Sequence, residues 1–311
     1  MKNKIMILTH REGFEADPVI DELRERCADV FRFNTDDGEN VSKISFSLRD
    51  RTKMVLECDG RVLDGDEVKA AWFQQSYPFD IDSTDPIITL QRANLRASYD
   101  QMENFMDCRW LNRPDKVRTA SNKILQLKVA NEAGMNTPET LVSSDAGAIR
   151  DFCREPSVMK NLNTPWFFNQ GEFKAAYTRN VTDEVMKNEE ALEFAPIIYQ
   201  RVVDKREECR VVMINGKDYA VSSPPSEESI DIREENKTGD NFRPATFPKD
   251  QKEKLLKFMS RFGVESCGAD YLIDNNGKWI FLEANISGAW WWVDKHFGGE
   301  IKRAIADYLT E

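Results

Sequence analysis

Cys267-Gly268-Ala269-Asp270-Tyr271-Leu272-Ile273-Asp274, then Asn275-Asn276-Gly277, then Lys278-Trp279-Ile280-Phe281-Leu282-Glu283-Ala284-Asn285 form the stretch from which the rest of the chain can be read. Two apolar, β-branched and aromatic runs joined by Asn-Gly spell a β-hairpin, and Asn276-Gly277 suits a two-residue type I′ turn. With that turn Asn275 faces Lys278, and counting outward sets Asp270 opposite Glu283. Asn285 shares the face of Glu283, because side chains alternate along a strand. The expectation is two carboxylates and a carboxamide on one sheet face, hard oxygen donors with no internal cation. Carboxylates that close repel, and a divalent metal is the natural remedy. An ordinary solvated face has the same pattern, but Glu283 ends the apolar run Trp279-Ile280-Phe281-Leu282, which argues against mere surface. An extra bulge residue at the turn would shift the register.

The chain has 311 residues, enough for two or three modules with their own cores. Its 41% hydrophobic and 31% charged residues are ordinary for a soluble globular protein. A net charge of -11 argues against nucleic acid or an anionic membrane as the main partner, though it leaves room for a local basic cleft. Met1 to Leu8 reads as a short buried strand, too brief for a signal segment or a spanning helix. Cysteines at 27, 58, 108, 153, 209 and 267 form no C-x-x-C pair, which disfavours a disulfide framework or structural zinc and suggests the reducing cytoplasm. With only His10 and His296, chemistry leaning on several imidazoles is disfavoured.

Working outward, residues 1–115 read as a first α/β module. Lys4 to Thr9 is a strand, Asp17-Pro18 opens a helix as N-cap and N1, and Val30 to Phe33 is the next strand. Residues 44–48 and 53–58 read as a hairpin, 68–73 as a strand, and Leu90 to Met106 as a long helix. Trp110-Leu111-Asn112-Arg113-Pro114 closes the module. A second module, 116–195, has Ser121 as N-cap of a helix over 122–133 that ends at Gly134. Strands at 138–142 and 157–160 flank a helix at 146–153, and 161–172 reads as a mobile polar and aromatic loop before a strand at 173–181. The third module, 196–311, contributes a strand through Gln200, an Asn215-Gly216 hairpin, an acidic loop over 224–243, and an amphipathic helix ending at Gly263. The hairpin quoted above and a final helix from about residue 300 complete it.

Lys123, Lys160, Arg210 and Arg233, each taken alone, read as surface charges. Their positions, a helix start, a strand end, a hairpin strand and a polar loop, would suit a polyphosphate if they converged beside the oxygen cluster. Neither G-x-x-x-x-G-K-[ST] nor G-x-G-x-x-G occurs, so a nucleotide would have to be held another way. Asn122-Lys123 with Gln126-Leu127, Ala130, Gly134-Met135 and Pro138 to Leu141 resembles the opening of an ATP-grasp ligase. Val158-Met159-Lys160 is similar to that family's second lysine strand, Tyr199 to Val202 to its adenine-side hinge, and Glu208-Cys209-Arg210-Val211 to its acidic-x-Arg strand. Asp270 with Glu283-Ala284-Asn285 resembles its metal ligands.

The resemblance narrows to the microviridin-type ligases that make graspetides, peptides closed by side-chain esters or amides, and it covers nearly the whole chain. Thr9-His10, Arg32 to Asp36 and Ala71-Trp72-Phe73 look like that family's N-terminal pre-ATP-grasp domain, and Trp110 to Pro114 like its linker. Asp231-Ile232-Arg233 is similar to its Asp-Trp-Arg motif, and Gly288 to Trp292 to its tryptophan-containing end. Gln74-Gln75 stand where arginines often follow, and Ile232 stands in place of the usual tryptophan.

The resemblance implies an α/β (α+β) ATP-grasp fold behind a pre-ATP-grasp α/β domain, with ATP and magnesium (Mg2+) as cofactors. It implies Lys123 and Lys160 on the phosphates, Tyr199, Gln200, Arg201 and Val202 at the adenine edge, and Asp204 or Glu207 on the ribose. It further implies Asp270, Glu283 and Asn285 as metal ligands, with Arg210 and Arg233 stabilising the leaving phosphate. The partner implied is a precursor peptide with a leader and an acid- and Thr/Ser/Lys-containing core; a homo-oligomer such as a dimer is compatible. Trp166, Phe167 and Phe168 would serve as a lid or simply pack a β-turn, and Trp290 to Trp292 would line a peptide channel or simply pack. Two further readings stay open: a ligase joining a small amino acid or protein tail to a carboxylate, and a non-catalytic nucleotide-binding scaffold.

Overall fold

The computed structural model describes residues 2–37, 41–49, 52–75, 84–162, 166–169, 172–175, 177–226 and 239–311, with 166–169 and 172–175 as main chain only. The first sheet has the order β2-β1-β6-β7 and is parallel throughout; its strands are β1 (Lys4–Thr9), β2 (Asp29–Asn34), β6 (Val68–Phe73) and β7 (Arg109–Leu111). Both faces of β1 are covered, which is why it reads as an unbroken apolar run. Ile5 and Ile7 pack with Val19, Ile20 and Leu23 of helix α1 (Ala16–Glu25), whereas Met6 and Leu8 pack with Met54, Leu56 and Leu63. These last come from an antiparallel ribbon of β3 (Ser42–Ser47), β4 (Lys53–Cys58) and β5 (Arg61–Asp64). Helix α1 starts before Asp17, with Glu15 at the cap position and making no side-chain cap. Helix α2 spans Pro86–Tyr99 rather than 90–106, because Asp85 caps it by accepting from Ile87 N at 2.8 Å.

Helices α3 (Pro114–Ala120) and α4 (Lys123–Glu132) lead into the second sheet. Asn122, not Ser121, caps α4, its Oδ1 accepting from Leu125 N at 3.0 Å. Gly134 follows in the left-handed region at φ 83°. The second sheet, order β12-β9-β13-β8, is antiparallel and uses β8 (Thr140–Ser143), β9 (Ser157–Lys160), β12 (Arg179–Asn180) and β13 (Ile197–Arg201). One face is covered by α5 (Ala146–Phe152) and α7 (Glu189–Phe194), which follows the short α6 (Asp183–Lys187). Much of the expected loop over 161–172 is a two-stranded ribbon: β10 (Trp166–Asn169) pairs with β11 (Glu172–Ala175). Its aromatic side chains and residues 163–165, 170 and 171 lie outside the described ones.

The third sheet has the order β16-β15-β14-β17-β18 and is antiparallel, formed by β14 (Lys205–Ile214), β15 (Lys217–Ser223), β16 (Arg243–Ala245), β17 (Ser266–Asp274) and β18 (Trp279–Asn285). Helix α8 (Lys249–Phe262), with α3 and α4, covers one face through Leu255, Phe258, Met259 and Phe262. Part of the other face packs on α10 (Glu300–Thr310) and on the first sheet, giving one core shared by the chain's beginning and end. Among the described residues no helix is long and apolar enough to cross a membrane.

The β17–β18 hairpin differs from the sequence expectation in its turn and agrees in its pairing. The turn has three residues: Asp274 N donates to Lys278 O at 3.0 Å, Gly277 N to Asp274 O at 2.9 Å, and Gly277 sits at φ 81°. That extra residue alone would rotate Glu283 toward the α8 face. A second irregularity between Phe281 and Glu283, where Leu282 is the unpaired residue, restores the register, and Asp270 pairs with Glu283.

Candidate functional site

The alternation along β14 explains where a site can form. Cys209, Val211 and Met213 face α8, and Val212 and Ile214 on the other side enter the shared core. Glu208 and Arg210 have the parity of Val212 but lie beyond that cover, so half of one sheet face is apolar and half polar. On β17, Asp270 stands opposite Arg210, and on β18 Glu283 stands opposite Asp270. Three successive strands thus bring an arginine and two acids into one row.

Arg210 is 6% exposed. Its Nη1 donates to both oxygens of Asp270, at 2.9 and 3.0 Å, and its Nη2 donates to the carbonyl of Ala289 at 3.0 Å. Asn285 Nδ2 donates to Asp270 Oδ2 at 3.1 Å. Glycine at 268 is what lets the guanidinium lie across β17, since a Cβ there would come within 2.3 Å of Arg210 Nη2. Lys123, the first residue of α4, reaches the cluster from the second module's side. Its Nζ lies 3.4 Å from Glu283 Oε2 and donates to Asn161 O, next after Lys160, at 3.3 Å. Lys123 therefore joins the lysine strand β9 to the acidic hairpin.

The carboxylates do have internal cations: Arg210 neutralises Asp270 and Lys123 faces Glu283. Repulsion between bare acids is therefore no argument for a metal. The argument that remains is the donor set. Asp270, Glu283 and Asn285 offer hard oxygens on one face, and with Nδ2 of Asn285 turned to Asp270, its Oδ1 is the atom left to a cation. Those donors fit magnesium.

The proposed nucleotide edge divides by face. Ile198 pairs with Lys160 and Gln200 with Val158, so Lys160 and Gln200 share the face away from α5 and α7. Gln200 is buried there, its Nε2 donating to Thr140 Oγ1 at 3.0 Å. Tyr199 and Arg201 point the other way. Tyr199 packs with Ile149 and Leu192, and Arg201 stacks on Phe152 with 4.0 Å from Cζ to the ring centroid. Val202 and Asp204 are exposed just before β14, and Val202 N donates to Pro156 O at 3.0 Å. Glu207 lies on the parity opposite to Arg210. Glu208, read from the sequence as the acid of the acidic-x-Arg strand but given no role, has the parity of Arg210 and pairs with Lys205 at 2.5 Å. Arg233 and the segment Asp231-Ile232-Arg233 lie outside the described residues. Trp290 is buried in the shared core, Trp292 stacks against Phe242 at 5.0 Å, and Trp291 meets Phe14 edge-on at 5.3 Å.

Comparison with known proteins adds to this geometry. Residues 4–118 match the family model of the MvdD pre-ATP-grasp domain. The macrocyclase MdnC from Microcystis aeruginosa MRC, solved bound with its precursor peptide MdnA, is similar at 24% identity over 99% of both chains, with a TM-score of 0.89. A RiPP-associated ATP-grasp ligase from Chryseobacterium gregarium, solved with ADP and a leader and core peptide, is similar at 22% identity, TM-score 0.90, over 99% of this chain and 96% of that one. The macrocyclase MdnB from Microcystis aeruginosa MRC gives 24% identity and TM-score 0.84 over 99% of both. At such identities the likeness establishes the fold. No curated protein sequence matches the chain.

Proposed function

We propose that the chain, which has the ATP-grasp fold and whose residues 4–118 match the MvdD pre-ATP-grasp domain, is an ATP-dependent ligase closing rings in a ribosomally made peptide. Its substrate is a precursor with a leader and a core. Asp or Glu side chains of the core are joined to Thr or Ser as esters or to Lys as amides. The carrying observation is the polar half-face of the third sheet, where Arg210, Asp270, Glu283 and Asn285 converge and Lys123 arrives from the neighbouring module. The solved relatives with precursor peptides, one also with ADP, support the same assignment.

In this reading the modules are 1–115, 116–195 and 196–311, and the cleft between the last two takes ATP. Lys123 and Lys160 hold the phosphates, and when Lys123 turns to them it releases Glu283. The main chain of Tyr199 to Val202, with the Gln200 side chain, forms the adenine edge, and Asp204 or Glu207 receives the ribose. Magnesium at Asp270, Glu283 and Asn285 would supply neutralising charge at the phosphates. A core carboxylate attacks the γ-phosphorus and ADP leaves, giving an acyl phosphate. Arg210, with Arg233, steadies the phosphate, since a guanidinium matches its oxygens in pairs. A hydroxyl or amine of the same peptide then attacks the acyl carbon, loses its proton and expels phosphate. Holding both groups on one chain raises their effective molarity. The six cysteines are free, which suits a cytoplasmic location.

The test is incubation with ATP, magnesium and an acid- and Thr/Lys-rich precursor peptide with its leader, followed by mass spectrometry. Loss of one water per ring with matching ADP release is expected. An unmodified peptide together with ligation of a free amino acid would move the assignment to a small-substrate ligase.

A further inference from the structure

Glu15 is an acid from the first module buried beside the reacting cluster of the third, and the reading above leaves it without a task. It is 7% exposed and sits at the start of α1. Its Oε2 accepts from Gln74 Nε2 at 3.2 Å, and Gln74 Oε1 in turn accepts from Thr9 Oγ1 at 2.8 Å; both partners are buried. On its other side the backbone N–H of Trp290 and the charge of Arg210 both favour its ionised form. The carbonyl that holds Arg210 Nη2 belongs to Ala289. That carbonyl and the Trp290 N–H are two ends of one planar amide. A polar contact at one end therefore ties the direction of the other.

We propose that Glu15 is a positioning residue: through the Ala289–Trp290 peptide it sets the orientation of the Arg210 guanidinium, so that the pre-ATP-grasp domain indexes the phosphate-stabilising arginine. The chain of contacts is continuous from Thr9 through Gln74 and Glu15 to the peptide, Arg210, Asp270 and Asn285. Glycine at 288 is part of the fit, because a Cβ there would lie 2.9 Å from Arg210 Nη2 and 2.3 Å from Asn285 Cβ. Glu15 also offers Arg210 a second counter-charge when Asp270 is drawn toward a cation. Burial raises its carboxyl to about 7, a cost that packing alone gives no reason to keep.

The inference rests on the proposed ligase activity for its kinetic consequence, and the experiment separates the two. Glu15→Gln keeps the side-chain volume and removes the charge; Glu15→Ala removes the anchor. With the precursor peptide, Glu15→Gln is expected to lower kcat by about tenfold or more while KM for ATP and peptide stays within about threefold and Tm does not fall, as misaligned catalytic groups do. Wild-type kcat in Glu15→Gln and Glu15→Ala alike overturns the inference, as does a loss of kcat no larger than the loss of folded protein. A second readout needs no turnover: the Nε–Hε resonance of Arg210 in a 15N spectrum, assigned by its absence in Arg210→Lys. It should shift or broaden in Glu15→Gln, and an unchanged resonance counts against the positioning role. A wild-type protein that modifies no acidic peptide sinks the functional reading alone.

Discussion

Asp270 and Glu283 face each other across two strands, yet their surroundings assign them different duties. Asp270 balances a nearly buried guanidinium, so Asp270→Ala should cost about 3 to 5 kcal/mol in urea unfolding by stranding Arg210. Glu283 faces a lysine at 3.4 Å with the pair's side chains 25% and 22% exposed, so Glu283→Ala should change stability by less than about 1 kcal/mol. The same substitution should abolish ATP-dependent peptide modification, because it removes a metal donor; unaltered turnover would contradict that role. Glu15 adds a pH dependence. Its carboxyl is raised from 4.5 to about 7 in the folded chain, so between those values the unfolded chain has released a proton that the native one keeps. Stability is full below the lower value and falls as pH rises toward the upper one, by roughly 3 kcal/mol at most. Chemical unfolding of wild type and Glu15→Gln at pH 4.5, 6 and 8 should show the variant losing less across that window; parallel curves would reject the shifted carboxyl.

The β17–β18 hairpin shows what a strand pattern can and cannot reveal. Apolar runs and Asn-Gly identified two strands and set Asp270 against Glu283, as the structure has it. The route was wrong in detail, since a three-residue turn and a bulge at Leu282 offset one another. Bulges leave little trace in composition, because the extra residue needs only to be tolerated. Signals that are local survived well: Asn215 and Gly216 at φ 45° and 78° make the expected two-residue turn, and Gly263 at φ 68° ends α8. Strands β5 and β7 and helices α6 and α7, of three to six residues, were not read, being too short for any periodicity to emerge. The pairing of Arg210 with Asp270, 60 residues apart, and of Lys123 with Glu283 were likewise hidden, since three-dimensional packing sets them. The hairpin carries its own prediction. Gly277→Ala puts a side chain at φ 81°, which should lower stability by about 1 kcal/mol while leaving turnover unchanged, because the turn lies at the far end of the strands from Glu283. Loss of activity at equal folded fraction would mean that the turn sets the site's register.

The beginning and end of the chain share a core, and this determines how the molecule should unfold. Helix α10 buries Ile301, Ile305 and Leu309 among Ile7 and Trp72 of the first sheet and Val212 and Val221 of the third. Asn112, just past β7, ties the same two regions by donating to Ser266 O at 2.8 Å and to Ile286 O at 3.2 Å. The first sheet is therefore no appendage: stripped of it, the third sheet would expose the apolar half of the face whose polar half holds Arg210. The continuity also explains why an acid near residue 15 can lie beside an arginine near residue 210. Ile305 is 1% exposed at the centre of this core, so Ile305→Ala should cost about 2 to 5 kcal/mol by leaving a cavity with no solvent access. If the two regions form one cooperative unit, calorimetry of the variant should show their transition moving down together. A split, with one component unmoved, would mean that the first sheet and the third fold independently and that α10 merely bridges them.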